Sequence, residues 1–203
     1  MDGDNRPMTS PGWVAALEAD APDVVACWRV SGPSLRELKA LRRELRGRVA
    51  AGAAPRILAQ QEAVGDALGT MLRDLPEALL RAPGGEEDWN VAQAFAHTTA
   101  ARRFLATWAA LDAGGAVRDH APTVVPSVPG PADATKDELL RLLEKSRGAI
   151  AAAAERIAGH ETQRCALDHP LVGHLRCGEW LLFIGIHDLM HLEQLHRLRN
   201  AGG

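Results

Sequence analysis

The run CGEWLLFIGIHDLMHLEQLHRLR, residues 177–199, decides how the chain reads. Trp180, Ile184, His187, His191, Leu195 and Leu198 recur at spacings of three and four, along one side of an α-helix. Arg197 and Arg199 fall in its last turn, where cations suit the negative end of a helix, and Gly202-Gly203 follow. His187 and His191 stand four apart inside that apolar stripe, so their rings project from one face a turn from each other. One helix presents two imidazoles to a single metal ion by this spacing. As a bare pattern, H-x-x-x-H reads equally well as two partly exposed histidines. Its place on the side due for burial favours the metal, since burying two unpartnered imidazoles costs on the order of a few kcal/mol.

Three further helices extend outward from this one. Asn90 with Gln93 forms a capping-box pattern, followed by Ala94, His97, Ala101, Leu105 and Trp108 on one face and by Gly114-Gly115. Thr135 with Glu138 forms another, followed by the stripe Leu139, Leu142, Leu143, Ser146, Ile150, Ala153 and Ile157, which Gly159 closes. Pro55 suits a first turn, and Ile57, Leu58, Val64, Leu68, Met71 and Leu72 carry a helix to Asp74. Between the second and third, residues 117–133 hold Pro122, Pro126, Pro129 and Pro131 and read as a long loop of the kind that covers functional sites. Before residue 52, Trp13 to Trp28 and Leu35 to Val49 read as two helices outside the main unit, parted at Ser31-Gly32-Pro33. No segment shows the valine- and isoleucine-rich alternation of strands, so the chain is all-α: a four-helix bundle over residues 53–203 with an N-terminal helical extension over residues 1–52.

Composition narrows the function. A formal net charge of −3 excludes the basic footprint of a general nucleic-acid binder. No tyrosine is present, so a tyrosine general acid is excluded. Cys27, Cys165 and Cys177 are odd in number and lack C-x-x-C spacing, which argues against a disulfide framework or a cysteine-based zinc finger. The start MDGDNRPMTSPGW has no apolar run of signal-peptide length, and Trp180 to Ile186 is too short to cross a bilayer; the expectation is a soluble cytoplasmic protein. His97 lies on the buried stripe of its own helix, so with His187 and His191 three imidazoles can share one ligand. Three protein nitrogens and an open position describe a catalytic rather than a structural metal site.

Here the sequence resembles a family. The run Trp89-Asn-Val-Ala-Gln-Ala-Phe-Ala-His97 is similar to the second-helix motif of the DinB-like superfamily. The run from His169-Pro-Leu-Val-Gly173 through Glu179-Trp180 to His187-Asp-Leu-Met-His191-Leu-Glu-Gln194 is similar to its fourth-helix signature. The resemblance covers roughly residues 55–200. It implies an up-down-down-up bundle, a divalent metal, zinc or nickel, on His97, His187 and His191, and a homodimer. It also implies activities found in that family: transferases using low-molecular-weight thiols such as mycothiol or bacillithiol, mycothiol-dependent maleylpyruvate isomerases, and metal-dependent hydrolases.

A three-histidine metal site has two chemical uses. It can hold a thiol as thiolate for attack on an electrophile, or activate water for hydrolysis, which needs a carboxylate base nearby. The acids near the inner face of the last helix are Asp188 and Glu179. Asp188 sits about 100° round from His187, at the edge of the site or on solvent, and Glu179 reads as a first-turn acid suited to the helix N-terminus. Gln194 could orient a ligand or close the cavity edge. Trp89 and Trp108 flank His97 and are candidates for lining the pocket. His120, His160 and His196 read as surface residues, His169 as structural, His174 and Cys177 as turn residues before the last helix, and Cys177 as a small buried side chain. Lacking a clear base, the site favours a mycothiol-type S-transferase acting on a small-molecule substrate, with a metal-dependent hydrolase or a non-catalytic metal- or ligand-binding protein as alternatives.

Overall fold

The computed structural model describes residues 12–84, 88–116 and 128–201. The helices are α1 (Gly12–Glu18), α2 (Pro22–Arg29), α3 (Leu35–Arg48), α4 (Ala54–Asp74), α5 (Val91–Ala113), α6 (Lys136–Ile157) and α7 (Cys177–Ala201), with a 3₁₀ turn at Glu77–Arg81. Local chemistry sets their starts. At α3, α5 and α6 the side chains of Ser34, Asn90 and Thr135 each accept the N–H three residues on, and Glu37, Gln93 and Glu138 each reach back to the cap's own N–H. Gly159, at φ 84°, takes the left-handed conformation that ends α6.

Hydrogen bonds fix the directions of the four long helices. Glu161, just past the C-terminus of α6, accepts from Ala54 N at the start of α4, and its carbonyl accepts from Gly178 N at the start of α7. Asp112, near the end of α5, accepts from the Gln163 side chain and from Ala166 N. The ends of α5 and α6 therefore meet the starts of α4 and α7, which is the up-down-down-up order. α4 and α5 each pack against both α6 and α7. The whole belongs to the all-α, helical-bundle class. α4 and α6 bury one stripe each, whereas α5 and α7 are enclosed on most sides; Trp180 to Ile186 are all buried.

Two features depart from the sequence expectation. Residues 13–28 are not one helix: α1 stops at Glu18 and α2 begins at Pro22, whose ring cannot continue a helix but fits the first turn of a new one. The chain also contains an antiparallel hairpin, β1 (Arg164–His169) and β2 (Gly173–Arg176), between α6 and α7. Cys165 and Leu167 alternate inward along β1, and Gly173 turns the chain at φ 76°. His174 thus lies in β2, and Cys177 is the first residue of α7. Of the proline-rich stretch, residues 117–127, with His120, Pro122 and Pro126, lie outside the described residues; 128–133 are non-helical.

Val14, Val24, Leu41 and Leu45 from α1–α3 join the same apolar cluster as the long helices. Asp23 ties α2 to its neighbours, accepting from Arg48 at 2.9 Å and from the Gln60 amide at 2.6 Å, while Gln60 Oε1 accepts from the N–H of Asp23 at 2.8 Å. All three cysteines are buried and free. No helix among the described residues is long and apolar enough to cross a membrane.

Candidate metal centre

α7 carries His187 and His191 on successive turns, and α5 packs alongside so that His97 faces both. One ring nitrogen from each of the three lies within 4.8 Å of the others, so the cluster could hold a metal ion. The His97 ring centroid is 5.6 Å from each of the other two, which are 4.6 Å apart.

The surrounding bonds decide which nitrogens are free. His97 Nδ1 lies 3.0 Å from the Val128 carbonyl, which can only accept, so this nitrogen carries the proton and Nε2 keeps its lone pair. Gln194 donates its amide N–H to the Gly84 carbonyl, which turns Oε1 toward His191 Nδ1 at 3.1 Å. That oxygen accepts the Nδ1 proton and leaves Nε2 of His191 unprotonated. Nε2 of His191 lies 3.3 Å from Nε2 of His187. His187 is part-buried with Nδ1 sealed from solvent; burial, then the neighbouring His191 and His97, hold its pKa well below the ordinary value. A neutral His187 with its proton on Nε2 donates to His191 Nε2; with that proton on Nδ1 instead, all three Nε2 lone pairs are open to one shared cation. The donor set, three imidazole nitrogens, fits a divalent transition-metal ion.

The segments that anchor the outer nitrogens are themselves pinned. Gly130 N donates to the Gln93 carbonyl, and a Cβ at Gly130 would overlap that of Ala96, so only glycine lets the Val128 segment lie this close to α5. Gly84 N donates to the Trp89 carbonyl, and a Cβ there would run into the backbone of Asn90 and Val91.

Other candidates fall in different places. Asp188 is not solvated. It is wholly buried and paired with Arg102, which is 1% exposed and also donates from Nε to Ser146 Oγ at 3.0 Å. Burial pushes the Asp188 carboxyl up to about 6, against the pull of Arg102. The pair thus ties α7, α5 and α6 together one residue from His187. Glu179 is in the first turn of α7 as expected, but buried; it accepts from Arg176 N at 2.8 Å and pairs with Arg46 Nε at 2.5 Å.

Trp89 lies 5.0 Å from His97, centroid to centroid. Trp108 lines a cleft of about 440 Å³ with His97, Ala100, Ala101, Arg103, Phe104, Thr107 and Val128. His169 is structural: its Nδ1 accepts from Leu171 N and Val172 N, closing the hairpin turn, and burial holds its pKa down to about 4. His160 is exposed. His196 is not a free surface group; it stacks on Trp13 at 5.0 Å and 10°, and burial lowers its pKa to about 4. Cys177 is buried beside Cys165, which donates its thiol proton to Asp112 at 2.6 Å.

Sequence reasoning did not single out Arg102, Arg103, Thr107 or the Val128 and Gly84 carbonyls. One signal pointed to Arg102. Asp188 is a lone acid within the continuous apolar run 180–189, and such an acid requires a buried cation.

A model of the DinB superfamily matches residues 60–195, which takes in most of α4 through most of α7 and all three histidines. The chain belongs to this superfamily. No curated protein and no solved structure matches it. The histidine cluster of this DinB chain therefore stands on its own geometry.

Proposed function

We propose that this DinB-superfamily chain is a divalent-metal enzyme that transfers a low-molecular-weight thiol of the mycothiol type onto a small electrophile, with His97, His187 and His191 holding zinc or nickel. The observation that carries this choice is the absence of any carboxylate among the described residues lining the cleft beside His97. Hydrolysis needs a base within hydrogen-bond reach of its water. Asp188 is wholly buried in its pair with Arg102, Glu179 is buried against Arg46 and Arg176, and neither lines that cleft. A bound divalent ion supplies the Lewis acidity that keeps a thiol as its thiolate at neutral pH.

The chain's own residues do the rest. Val128 O and Gln194 Oε1 hold the imidazoles of His97 and His191 as Nδ1–H tautomers, with Nε2 directed inward. The Arg102–Asp188 pair fixes α5 against α7, and Trp89 covers His97. Residues 1–52 form an extension added to this bundle, and the working form is a cytoplasmic homodimer.

Metal analysis of purified protein is the first test, with wild type expected to carry one divalent ion per chain and His97→Ala and His191→Ala to lose it. A metal-free wild type at neutral pH would overturn the site. Incubation with mycothiol or glutathione and a monochlorobimane-type electrophile is the second. Metal-dependent, thiol-specific conjugation is expected. Ester cleavage without thiol would make the protein a hydrolase, and neither activity would make it a binding module.

A further inference from the structure

From His97 the outward face of α5 runs through Ala100, Ala101, Arg103, Phe104, Thr107 and Trp108, at spacings that keep these residues together along about three turns. Their cleft, about 440 Å³, is within the range for small-molecule sites. Its floor is the small side chains of Ala100 and Ala101. Phe104 and Trp108, both half-buried, form an aromatic wall with centroids 6.0 Å apart and planes tilted by 55°. Arg103 and Thr107, one turn apart and both exposed, bring a guanidinium and a hydroxyl to the same cleft. Among the described lining residues Arg103 is the one permanently charged side chain, and none is acidic.

We propose that this cleft binds the electrophilic co-substrate, and that the co-substrate is a small carboxylate on an aromatic or flat apolar body. The carboxylate pairs with Arg103, whose planar fork matches two carboxylate oxygens, and accepts from Thr107 Oγ1. The body lies on Phe104 and Trp108, and its far end reaches His97. The assignment rests on the three-histidine cluster being the reacting end, whereas the recognition itself needs neither metal nor thiol. Arg103 is then the specificity residue, and a neutral analogue of the same shape is the wrong ligand.

The test uses full-length, metal-free protein with 2-naphthoate and its neutral amide, 2-naphthamide, titrated by calorimetry. Naphthoate is expected to bind about tenfold or more tightly than the amide. Arg103→Gln, at an exposed position, is expected to remove that preference by weakening naphthoate alone. Trp108→Ala is expected to weaken both ligands by a similar factor. Equal binding of the two ligands to wild type, or equal loss of both in Arg103→Gln, would overturn the proposal, as would no binding of either. Because turnover plays no part, naphthoate binding without thiol transfer would fail the enzyme and spare the cleft, and thiol transfer without naphthoate binding would do the reverse.

Discussion

Replacing Arg102 by methionine isolates the energetic centre of the bundle. Arg102 and Asp188 are 1% and 0% exposed, so the substitution leaves a carboxylate with no solvent to turn to. Removing one partner of such a pair costs about 3–5 kcal/mol. A domain of this size has about 5–15 kcal/mol in all, so Arg102→Met is expected to lose a large share of its stability. At roughly 2–4 °C per kcal/mol, the melting temperature falls by about 6–20 °C. Adding Asp188→Leu removes the stranded charge, and apolar replacement of both partners is typically neutral or stabilising. Ser146 is not orphaned by either change, because its hydroxyl also donates to the Leu143 carbonyl at 2.6 Å. The double variant is therefore expected within about 2 kcal/mol of wild type. Urea unfolding followed by circular dichroism at pH 7.5, on metal-free protein, gives all three values. If the double variant is no more stable than Arg102→Met, the pair is not held by mutual compensation and the reasoning fails.

Two further outcomes are expected. Gln194→Leu removes the acceptor for His191 Nδ1 and the donor to Gly84, and is expected to lower metal affinity about 10–100-fold with helical content unchanged; chelator competition measures it, and an unchanged affinity would show that Gln194 does not orient the ring. His169, held down to about 4 from 6.5, binds a proton in the unfolded chain that the fold refuses, so its stabilising contribution is whole above pH 6.5 and lost as pH falls toward 4. Between pH 7 and pH 5 this amounts to at most about 2 kcal/mol, so wild type should lose that much more urea stability than His169→Gln over the same interval, and parallel losses would remove His169 as the cause.

How far the sequence foretold this structure depends on the range of the forces involved. The capping boxes at Asn90 and Thr135 are local, and both open helices where their side chains indicate. The three histidines were legible because helical periodicity puts each on the stripe due for burial, and the packing of α5 on α7 brings the three together. The hairpin was not legible: Cys165 and Leu167 alternate for only a few residues without β-branched support, so its pairing depends on the α6 and α7 ends that flank it. The partner of Asp188 lies 86 residues away, and no spacing rule reaches that far. Arg103 and Thr107 fall outside the apolar stripe and look like solvated surface until the aromatic pair beside them is seen to form a wall.

The histidines are divided unequally between helices. His187 and His191 both belong to α7, one turn apart, whereas His97 arrives only when α5 docks. A denatured chain with that turn still helical keeps two of three nitrogens in place. A divalent ion therefore retains a foothold on the open chain, and raising its concentration stabilises the native state by the difference between the two affinities rather than by the native affinity alone. The closing ligand, His97, sets that difference, so metal-dependent stability in this chain measures how well α5 is seated on α7.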